Sequence, residues 1–507
     1  MIDKFPKSHS DRFLRTDHLK ANLKQRSVRA GLVTVAAQPI QIILSLLVNI
    51  FLARLLTPMD YGLVGMVTAA TGLISLFKDL GLSTATIQRE EINHGQVSTL
   101  FWINVMLGVA TALVAVVLTP VIVHFYNEPR LVPITLALSL GFIISGLGGQ
   151  HAALLARQME FTQLAIIDLL SQSIGIGIAI LAAWYGLGYW ALVIFALVTA
   201  ASSTTGFWLA CGWRPGLPQK GVGVRSMVTF GIHLTGAGVL NYFARNLDNV
   251  LIGRFWGAQQ LGLYSKAYQL LLMPLNRING PISNVAIPAL SRLADSPKRY
   301  RDVYLRVLEK VVLITMPLIV FMISTSDWLV KLLLGNQWSD ASSIFLMLSI
   351  AGLVQPIANT TGWLLISQGR SNHIFQWSIA GSSICVASFL IGLPWGAKGV
   401  AASYSLLVGF ILLPVLFWFV GRTGPVQTKD FYRTAAPIAF ASLAPTLVLT
   451  AFRYWYPTLN PIVGCGVAAV LTATTFLAAL YLIPEGRYAI KDLKDLAIVL
   501  KSGKSSE

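Results

Sequence analysis

Polar and charged side chains recur at helical spacing inside two otherwise apolar segments, residues 30–52 and 226–252. They fall within arcs of about 80° and about 120° around the two predicted helices. The members are Thr34, Gln38, Gln41, Ser45 and Asn49 in the first segment, and His233, Asn241, Arg245 and Asp248 in the second. Charge at the centre of a spanning helix costs about 2.5–3.5 kcal/mol, so such stripes face away from lipid.

Three further cations follow the second stripe along the chain: Arg254, Lys266 and Arg277. With Gln41, Asn49, Asn241 and Arg245 they make a predicted binding set that suits an anionic ligand. Carboxylates that could carry a coupling proton or cation are fewer, namely Asp248, Asp168 and Asp79. None of the three lies in a distinctive sequence motif.

Structural roles compete with these functional ones. Arg245 and Asp248 are three residues apart and could pair with each other on one helix face. Arg277 and Asp79 lie where their helices should reach the membrane interface, where a headgroup role is favoured. Arg254 is close to a helix end and could serve as a cap or a lipid contact.

The composition indicates a membrane protein. Of 507 residues, 55% are hydrophobic and 12% are charged, against about 45–50% and about 25% in soluble domains. The net charge of +17 is scattered among apolar segments, which argues against a nucleic-acid-binding surface. Three well-separated cysteines fit neither a disulfide framework nor a metal site. Nucleotide-binding and hydrolase motifs are absent from the sequence, so we expect no enzyme activity, no cofactor and no metal.

Stepping along the chain in windows of about 20 apolar residues predicts fourteen transmembrane helices. The predicted spans are 30–52, 61–80, 99–123, 131–155, 164–185, 188–210, 226–252, 260–280, 305–325, 341–366, 372–393, 396–420, 432–452 and 461–483. If the N-terminus is cytosolic, thirty of the 38 Lys and Arg residues fall on the cytosolic side and five fall outside. The positive-inside rule therefore predicts an even number of spans with both termini in the cytosol.

The seventh and eighth spans resemble the first and second. At an offset of 200 residues, the segments 52–63 and 252–263 have Arg, Gly and Leu at the same places: Arg54 aligns with Arg254, Gly62 with Gly262 and Leu63 with Leu263. Such a duplication places a binding site between two halves of a transporter. The predicted division is a basic cytosolic arm (1–28), two six-helix lobes (29–215 and 216–424), a C-terminal helix pair (425–485) and a cytosolic tail (486–507).

Three stretches carry a resemblance to a known family: LARLLTPMDYGLVGM at 52–66, LFKDLGLSTATIQ at 76–88 and the segment 245–278. The chain resembles the polysaccharide transporter family, and within it the colanic-acid-type lipid-linked oligosaccharide flippases of the multidrug/oligosaccharidyl-lipid/polysaccharide exporter superfamily. The resemblance implies a two-lobe protein of the bacterial cytoplasmic membrane. Its implied substrate is an undecaprenyl-diphosphate-linked oligosaccharide, flipped by alternating access for exopolysaccharide or lipopolysaccharide synthesis. A polysaccharide polymerase and export machinery are further implied partners.

Two alternatives stay open at this point. A cation-coupled multidrug exporter of the same superfamily would be expected to present carboxylates to its substrate, whereas the predicted lining holds more Arg and Lys than Asp. A membrane-embedded glycosyltransferase or polymerase would be expected to carry acidic or histidine residues in a sizeable outer loop, and the predicted outer loops are mostly short.

Overall fold

The computed structural model describes residues 13–14, 23–89, 91–219, 225–457, 459–484 and 486–487. Within residues 23–37, 225–226, 228–241 and 243–244 it describes the backbone alone. Most of the predicted cytosolic arm, nearly all of the predicted tail and the side chain of Asn241 therefore lie outside the described residues. The described residues form helices and turns and contain no strand. The chain divides into two compact units, Met1–Gly262 and Leu263–Glu507.

The described residues of the first unit form seven complete α-helices and the first part of an eighth. They are α1 (Leu23–Leu55), α2 (Pro58–Ser75), α3 (Leu82–Gln88), α4 (His94–Tyr126), α5 (Leu131–Arg157), α6 (Phe161–Trp184), α7 (Trp190–Ala210) and α8 (Arg225–Ser291). Close packing of α6 against α1 buries small and aliphatic residues, including Leu52, Ala179 and Ala183. Alanines in α6 let the two helices approach closely, as is usual for helix pairs in membranes.

The described residues of the second unit form the rest of α8 and ten further α-helices. They are α9 (Pro297–Ser324), α10 (Ser326–Leu333), α11 (Ala341–Gly352), α12 (Gln355–Ser367), α13 (Ser371–Gly392), α14 (Gly396–Leu407), α15 (Leu413–Gly421), α16 (Thr428–Ala441), α17 (Leu443–Trp455) and α18 (Pro461–Leu482). The core of this unit forms around α9, where Tyr304 is fully buried and its hydroxyl lies 2.9 Å from the hydroxyl of Thr360. Phe431 stacks on Phe417 at 4.5 Å in the same core.

All fourteen predicted spans coincide with helical segments. Among the described residues, nine helices are long and apolar enough to cross a membrane, or ten if the bent pair α11 and α12 counts as one span. The chain is therefore a multi-pass, all-helical membrane protein. The predicted spans 372–393 and 396–420 together make up one of these candidates, Ser371–Gly421, and the crossings predicted at 61–80, 226–252 and 260–280 do not pass that criterion. The full number of fourteen therefore belongs to the proposal below.

Three predicted spans have a different internal structure from the one expected. The span at 341–366 is broken between α11 and α12 with a bend of 41°, and Pro356 stands in the first turn of α12. Likewise, the span at 432–452 is divided between α16 and α17, close to Pro437 and Pro445. Proline removes a backbone donor and clashes with the preceding turn, so it favours such breaks. The span at 61–80 ends early, because α2 stops at Ser75.

The C-terminal helices are tied to α9 and α10 by two ion pairs. Arg301 at the start of α9 binds Asp430 of α16 in a bidentate arrangement, with N–O distances of 2.6 and 2.8 Å. The second pair joins α17 to α10: Arg453 of α17 contacts Asp327 of α10 at 2.8 Å. The Arg453 guanidinium also lies 3.9 Å from the centre of the Trp328 ring. Each pair joins segments more than 120 residues apart in sequence.

Candidate functional site

The turn between α1 and α2 is fixed by a capping box. Thr57 caps α2, and the carboxylate of Asp60 accepts hydrogen bonds from the backbone N–H (2.9 Å) and the hydroxyl (2.7 Å) of Thr57. Pro58 in the first turn is preorganised for a helix. Reciprocal capping satisfies backbone donors that would otherwise be left exposed at the helix start. The turn therefore holds the beginning of α2 in a fixed direction.

Helix α8 is interrupted at Gly257, at the position that corresponds to this turn in the repeat. The φ angle of Gly257 is 78°, a conformation that a residue with a side chain rarely adopts. Arg254 lies one turn before the break, with an exposed side chain whose guanidinium is 5.7 Å from the ring of Phe125 and 5.9 Å from that of Phe255. Such distances allow cation–π attraction. The predicted seventh and eighth spans are thus two helical segments that meet at a kink at Gly257.

Helices α2 and α8 touch through a reciprocal pair of glycines. A Cβ atom added at Gly62 would overlap the carbonyl oxygen of Ala258, and one added at Gly262 would overlap the carbonyl oxygen of Pro58. The offset of 200 relates Gly62 to Gly262 and Pro58 to Ala258. In an isologous contact between related elements, residue i meets j and j meets i. The contact between α2 and α8 has this form.

The polar stripe on α1 is partly enclosed. Asn49 is buried, and its amide donates a hydrogen bond of 2.7 Å to the carbonyl oxygen of Ser45 one turn earlier. Gln41 is half-buried. The stripe therefore lies on a face that the surrounding helices shield to different degrees along its length.

The stripe on α8 combines an enclosed acid with an exposed base. Asp248 is only 3% exposed, and its carboxylate accepts a hydrogen bond of 2.8 Å from the backbone N–H of Asn249. Arg245, one turn earlier, has an exposed side chain. Tyr242 connects this part of α8 to α2, because its hydroxyl donates to the carbonyl oxygen of Ala69 at 2.8 Å.

Beyond the kink, α8 carries a deeply buried lysine. Lys266 is 5% exposed, and its ammonium group donates to the side-chain oxygen of Gln269 at 3.1 Å. Arg277, three turns further along, is half-buried. A buried ammonium group is costly to desolvate unless it is paired or used for function. Lys266 is therefore the most constrained cation of the predicted binding set.

The two other predicted acidic residues have different surroundings. Asp168 on α6 is exposed. Asp79 lies in the turn between α2 and α3 and accepts hydrogen bonds from the hydroxyl of Ser83 at 2.7 Å and from the amide of Asn104 at 3.0 Å. Its carboxylate also accepts a hydrogen bond from the backbone N–H of Ser83. These contacts give Asp79 a structural role in joining the start of α3 to α4.

A buried polar cluster at the ends of α5 and α7 was not predicted as a site. His151 is fully buried and stacks on Trp208 with ring centres 4.2 Å apart. Arg157 is 5% exposed and donates to the carbonyl oxygen of Thr86 at 3.0 Å. Next to this cluster, burial raises the pKa of the Cys211 thiol to about 11, in line with an unreactive, buried cysteine. The only signal in the sequence was a histidine inside an apolar span.

No group of three or more His, Cys, Asp or Glu side chains that could hold a metal ion occurs in the described part of the chain. The described side chains of the candidate site are amides, cations and single carboxylates. Such a set can bind a polar anion by charge and hydrogen bonding.

Comparison with known proteins places these features in context. A family model described as polysaccharide biosynthesis protein matches residues 51–343. The lipopolysaccharide biosynthesis protein WzxC of Escherichia coli is 27% identical over 438 residues, which cover 85% of this chain and 88% of the relative. The succinoglycan biosynthesis transport protein ExoT of Rhizobium meliloti is 22% identical, with 88% of this chain and 90% of the relative covered.

Among solved structures, the lipid II flippase MurJ in an inward closed conformation matches with a TM-score of 0.70 and 15% identity. The match covers 89% of this chain and 98% of the MurJ chain. At that identity the likeness establishes the fold alone.

Proposed function

We propose, from the premise that this chain belongs to the polysaccharide biosynthesis protein family, that it is a flippase for a lipid-linked oligosaccharide. The substrate is an undecaprenyl-diphosphate-linked repeat unit, and the protein moves it across the bacterial cytoplasmic membrane by alternating access. The product supplies exopolysaccharide or lipopolysaccharide synthesis. In this proposal no covalent step is catalysed, and a polysaccharide polymerase and export machinery act on the translocated product.

The observation that carries the proposal is the series of cations along α8. Arg245 and Arg254 precede the break of α8 at Gly257, and Lys266 and Arg277 follow it. All four lie inside the region that the family model matches. Positive charge at membrane depth is costly, and a diphosphate is a multiply charged anion that favours arginine and lysine contacts. The cations of α8 therefore suit the diphosphate of a lipid-linked sugar better than they suit a neutral lipid.

The proposal assigns a role to each predicted residue. Arg245, Arg254, Lys266 and Arg277 bind the diphosphate or acidic sugars, and Gln41, Asn49 and Asn241 bind sugar hydroxyl groups. Asp248 is the preferred coupling group, because its carboxylate is buried beside the cationic stripe. Asp79 and Asp168 are weaker candidates, since Asp79 is already engaged by Ser83 and Asn104 and Asp168 is exposed.

We further propose fourteen membrane crossings with both termini in the cytosol. The two six-helix lobes are residues 29–215 and 216–424, and helices α16, α17 and α18 make up the additional pair of crossings. With the N-terminus in the cytosol, thirty of the 38 Lys and Arg residues fall on the cytosolic side, and the positive-inside rule favours this orientation. Cysteine accessibility to a membrane-impermeant reagent at positions 130 and 299 tests it: the first should react from outside the cell and the second should not.

Depletion of the protein tests the proposed function directly. We expect an undecaprenyl-diphosphate-linked oligosaccharide to accumulate in the cytosolic leaflet while the corresponding surface polymer disappears. Mass spectrometry of extracted lipids and immunodetection of surface polysaccharide are the two measurements. A depleted strain that keeps its surface polymer and accumulates no lipid-linked sugar would contradict the proposal.

Substitution of Arg245 by alanine tests the site. We expect polymer export to fall at least tenfold, because a hydrogen bond to a charged group contributes about 1.5–3 kcal/mol and about 1.4 kcal/mol corresponds to a factor of ten. Arg245→Lys should keep part of the activity, and Arg292→Ala is the control, since Arg292 is an exposed cation outside the predicted set. If export falls only in proportion to the amount of Arg245→Ala protein in the membrane, the residue has a structural role.

A cation-coupled multidrug exporter is the second candidate, and buried Asp248 is the observation that favours it. A carboxylate at that position could bind a cationic drug or the ion exchanged for it. Drug resistance that is conferred by the wild-type protein and lost in Asp248→Asn would support this function. Export of the lipid-linked sugar should then be unaffected by depletion.

A further inference from the structure

A small pocket lies between α9, α16 and Gly486, and none of its described lining residues belongs to the predicted binding set. Its volume is about 310 Å³. Its lining consists of Arg301, Leu305, Arg306, Glu309, Asp430, Arg433, Thr434, Pro437, Ile438 and Gly486. On α9 and on α16 the lining residues recur at helical spacing, so each helix presents one face to the pocket.

One acidic side chain of the pocket is already neutralised. Asp430 is 2% exposed, and Arg301 binds both of its carboxylate oxygens. The backbone N–H of Gln427 donates to the same carboxylate at 2.9 Å. With these three donors in place, Asp430 has little capacity left to engage a second arginine.

Two arginines of the pocket remain available for a ligand. Arg306 on α9 and Arg433 on α16 both have exposed side chains. Within the part of the chain that the structure describes, neither forms a hydrogen bond or an ion pair. Together with Glu309, Arg301 and Asp430 they give the described lining residues a single net positive charge. That charge matches the single negative charge of a phosphodiester.

The pocket is apolar on one side. Leu305, Pro437 and Ile438 contribute hydrocarbon surface to the lining, and Ile438 belongs to the hydrophobic core of this unit. Arg306 lies in the third turn of α9, which begins at Pro297, and Arg433 lies in the second turn of α16, which begins at Thr428. A ligand that fills the pocket therefore needs an anionic group next to an apolar part.

We propose that this pocket binds the headgroup phosphate of an anionic phospholipid from the cytosolic leaflet. Basic pockets between membrane helices at the cytosolic surface are suited to such headgroups, and the arginine fork matches phosphate oxygens. The proposal uses the cytosolic orientation of the starts of α9 and α16 and is independent of the substrate that the protein moves. Bound lipid would bridge α9 to α16 beside the Arg301–Asp430 pair.

Lipid titration of the purified full-length protein tests this proposal. In native mass spectrometry with phosphatidylglycerol, we expect Arg306→Gln/Arg433→Gln to bind the lipid at least tenfold more weakly than the wild type. The matched control is Lys298→Gln/Arg299→Gln, which removes the same charge from the first turn of α9 outside the pocket lining. The control should bind within twofold of the wild type, and Arg306→Lys/Arg433→Lys should keep most of the affinity.

Each remaining outcome overturns the proposal. If the pocket variant and the control lose the same affinity for phosphatidylglycerol, the lipid is attracted by the overall positive charge of the protein. Binding of inorganic phosphate with no phosphatidylglycerol binding would mean a site for a free anion. If the pocket variant no longer binds the lipid-linked oligosaccharide but binds phosphatidylglycerol like the wild type, the pocket is a substrate site. A melting temperature of the lysine variant equal to that of the wild type, together with no lipid binding by either, would also exclude a headgroup site.

Discussion

Substitution of Gly62 by alanine is expected to abolish export. The new Cβ atom would overlap the carbonyl oxygen of Ala258, and backbone atoms cannot rotate away as a flexible side chain can. Helices α2 and α8 must therefore separate, at a cost near the upper end of the about 1–3 kcal/mol typical of overpacking. Export of surface polymer and the melting temperature of the purified protein are the measurements.

Two further variants make the Gly62 experiment specific. Gly177→Ala is the control, because a Cβ atom at Gly177 on α6 meets nothing within 4 Å and alanine favours a helix by about 0.5–1 kcal/mol over glycine. Gly262→Ala should reproduce the effect of Gly62→Ala. The double variant should lose less stability than the sum of the two single losses, since both substitutions force apart the same helix crossing. Full export by Gly62→Ala would show that this crossing is not required in any transport state.

Substitution of Lys266 by methionine is expected to have the second large effect. If the ammonium group binds the diphosphate, its removal should lower export at least tenfold, because a hydrogen bond to a charged group contributes about 1.5–3 kcal/mol. The melting temperature should stay unchanged or rise, since methionine fills a similar volume without the cost of desolvating a buried charge. Loss of function without loss of stability distinguishes a binding role from a structural one.

The control for this experiment is Lys398→Met. Lys398 is exposed and lies at the start of α14, so the same substitution there should leave both export and melting temperature within error of the wild type. A Lys266→Met protein that exports normally would remove Lys266 from the binding set. One that fails to fold would instead assign the lysine to a structural contact, and Lys266→Arg would then restore folding together with export.

The sequence by itself determined the class of protein and the positions of its helices. Fourteen apolar segments predicted by length and composition all coincide with helical segments, because the backbone in a membrane must satisfy its own hydrogen bonds and helices do so locally. The sequence match at an offset of 200 also aligned Gly62 with Gly262, the two glycines that meet in the contact between α2 and α8. The family resemblance agreed with the family to which the chain belongs.

Only the tertiary structure decided which polar residues are enclosed and what they contact. Asp79 and Asp168 were both candidate coupling groups in the sequence, yet Asp79 accepts hydrogen bonds from Ser83 and Asn104 whereas Asp168 is exposed. Arg301 and Asp430 are 129 residues apart, and nothing in the local pattern relates them. Hydrophobic periodicity reports which face of a helix is buried, but the partner on that face depends on how distant helices pack.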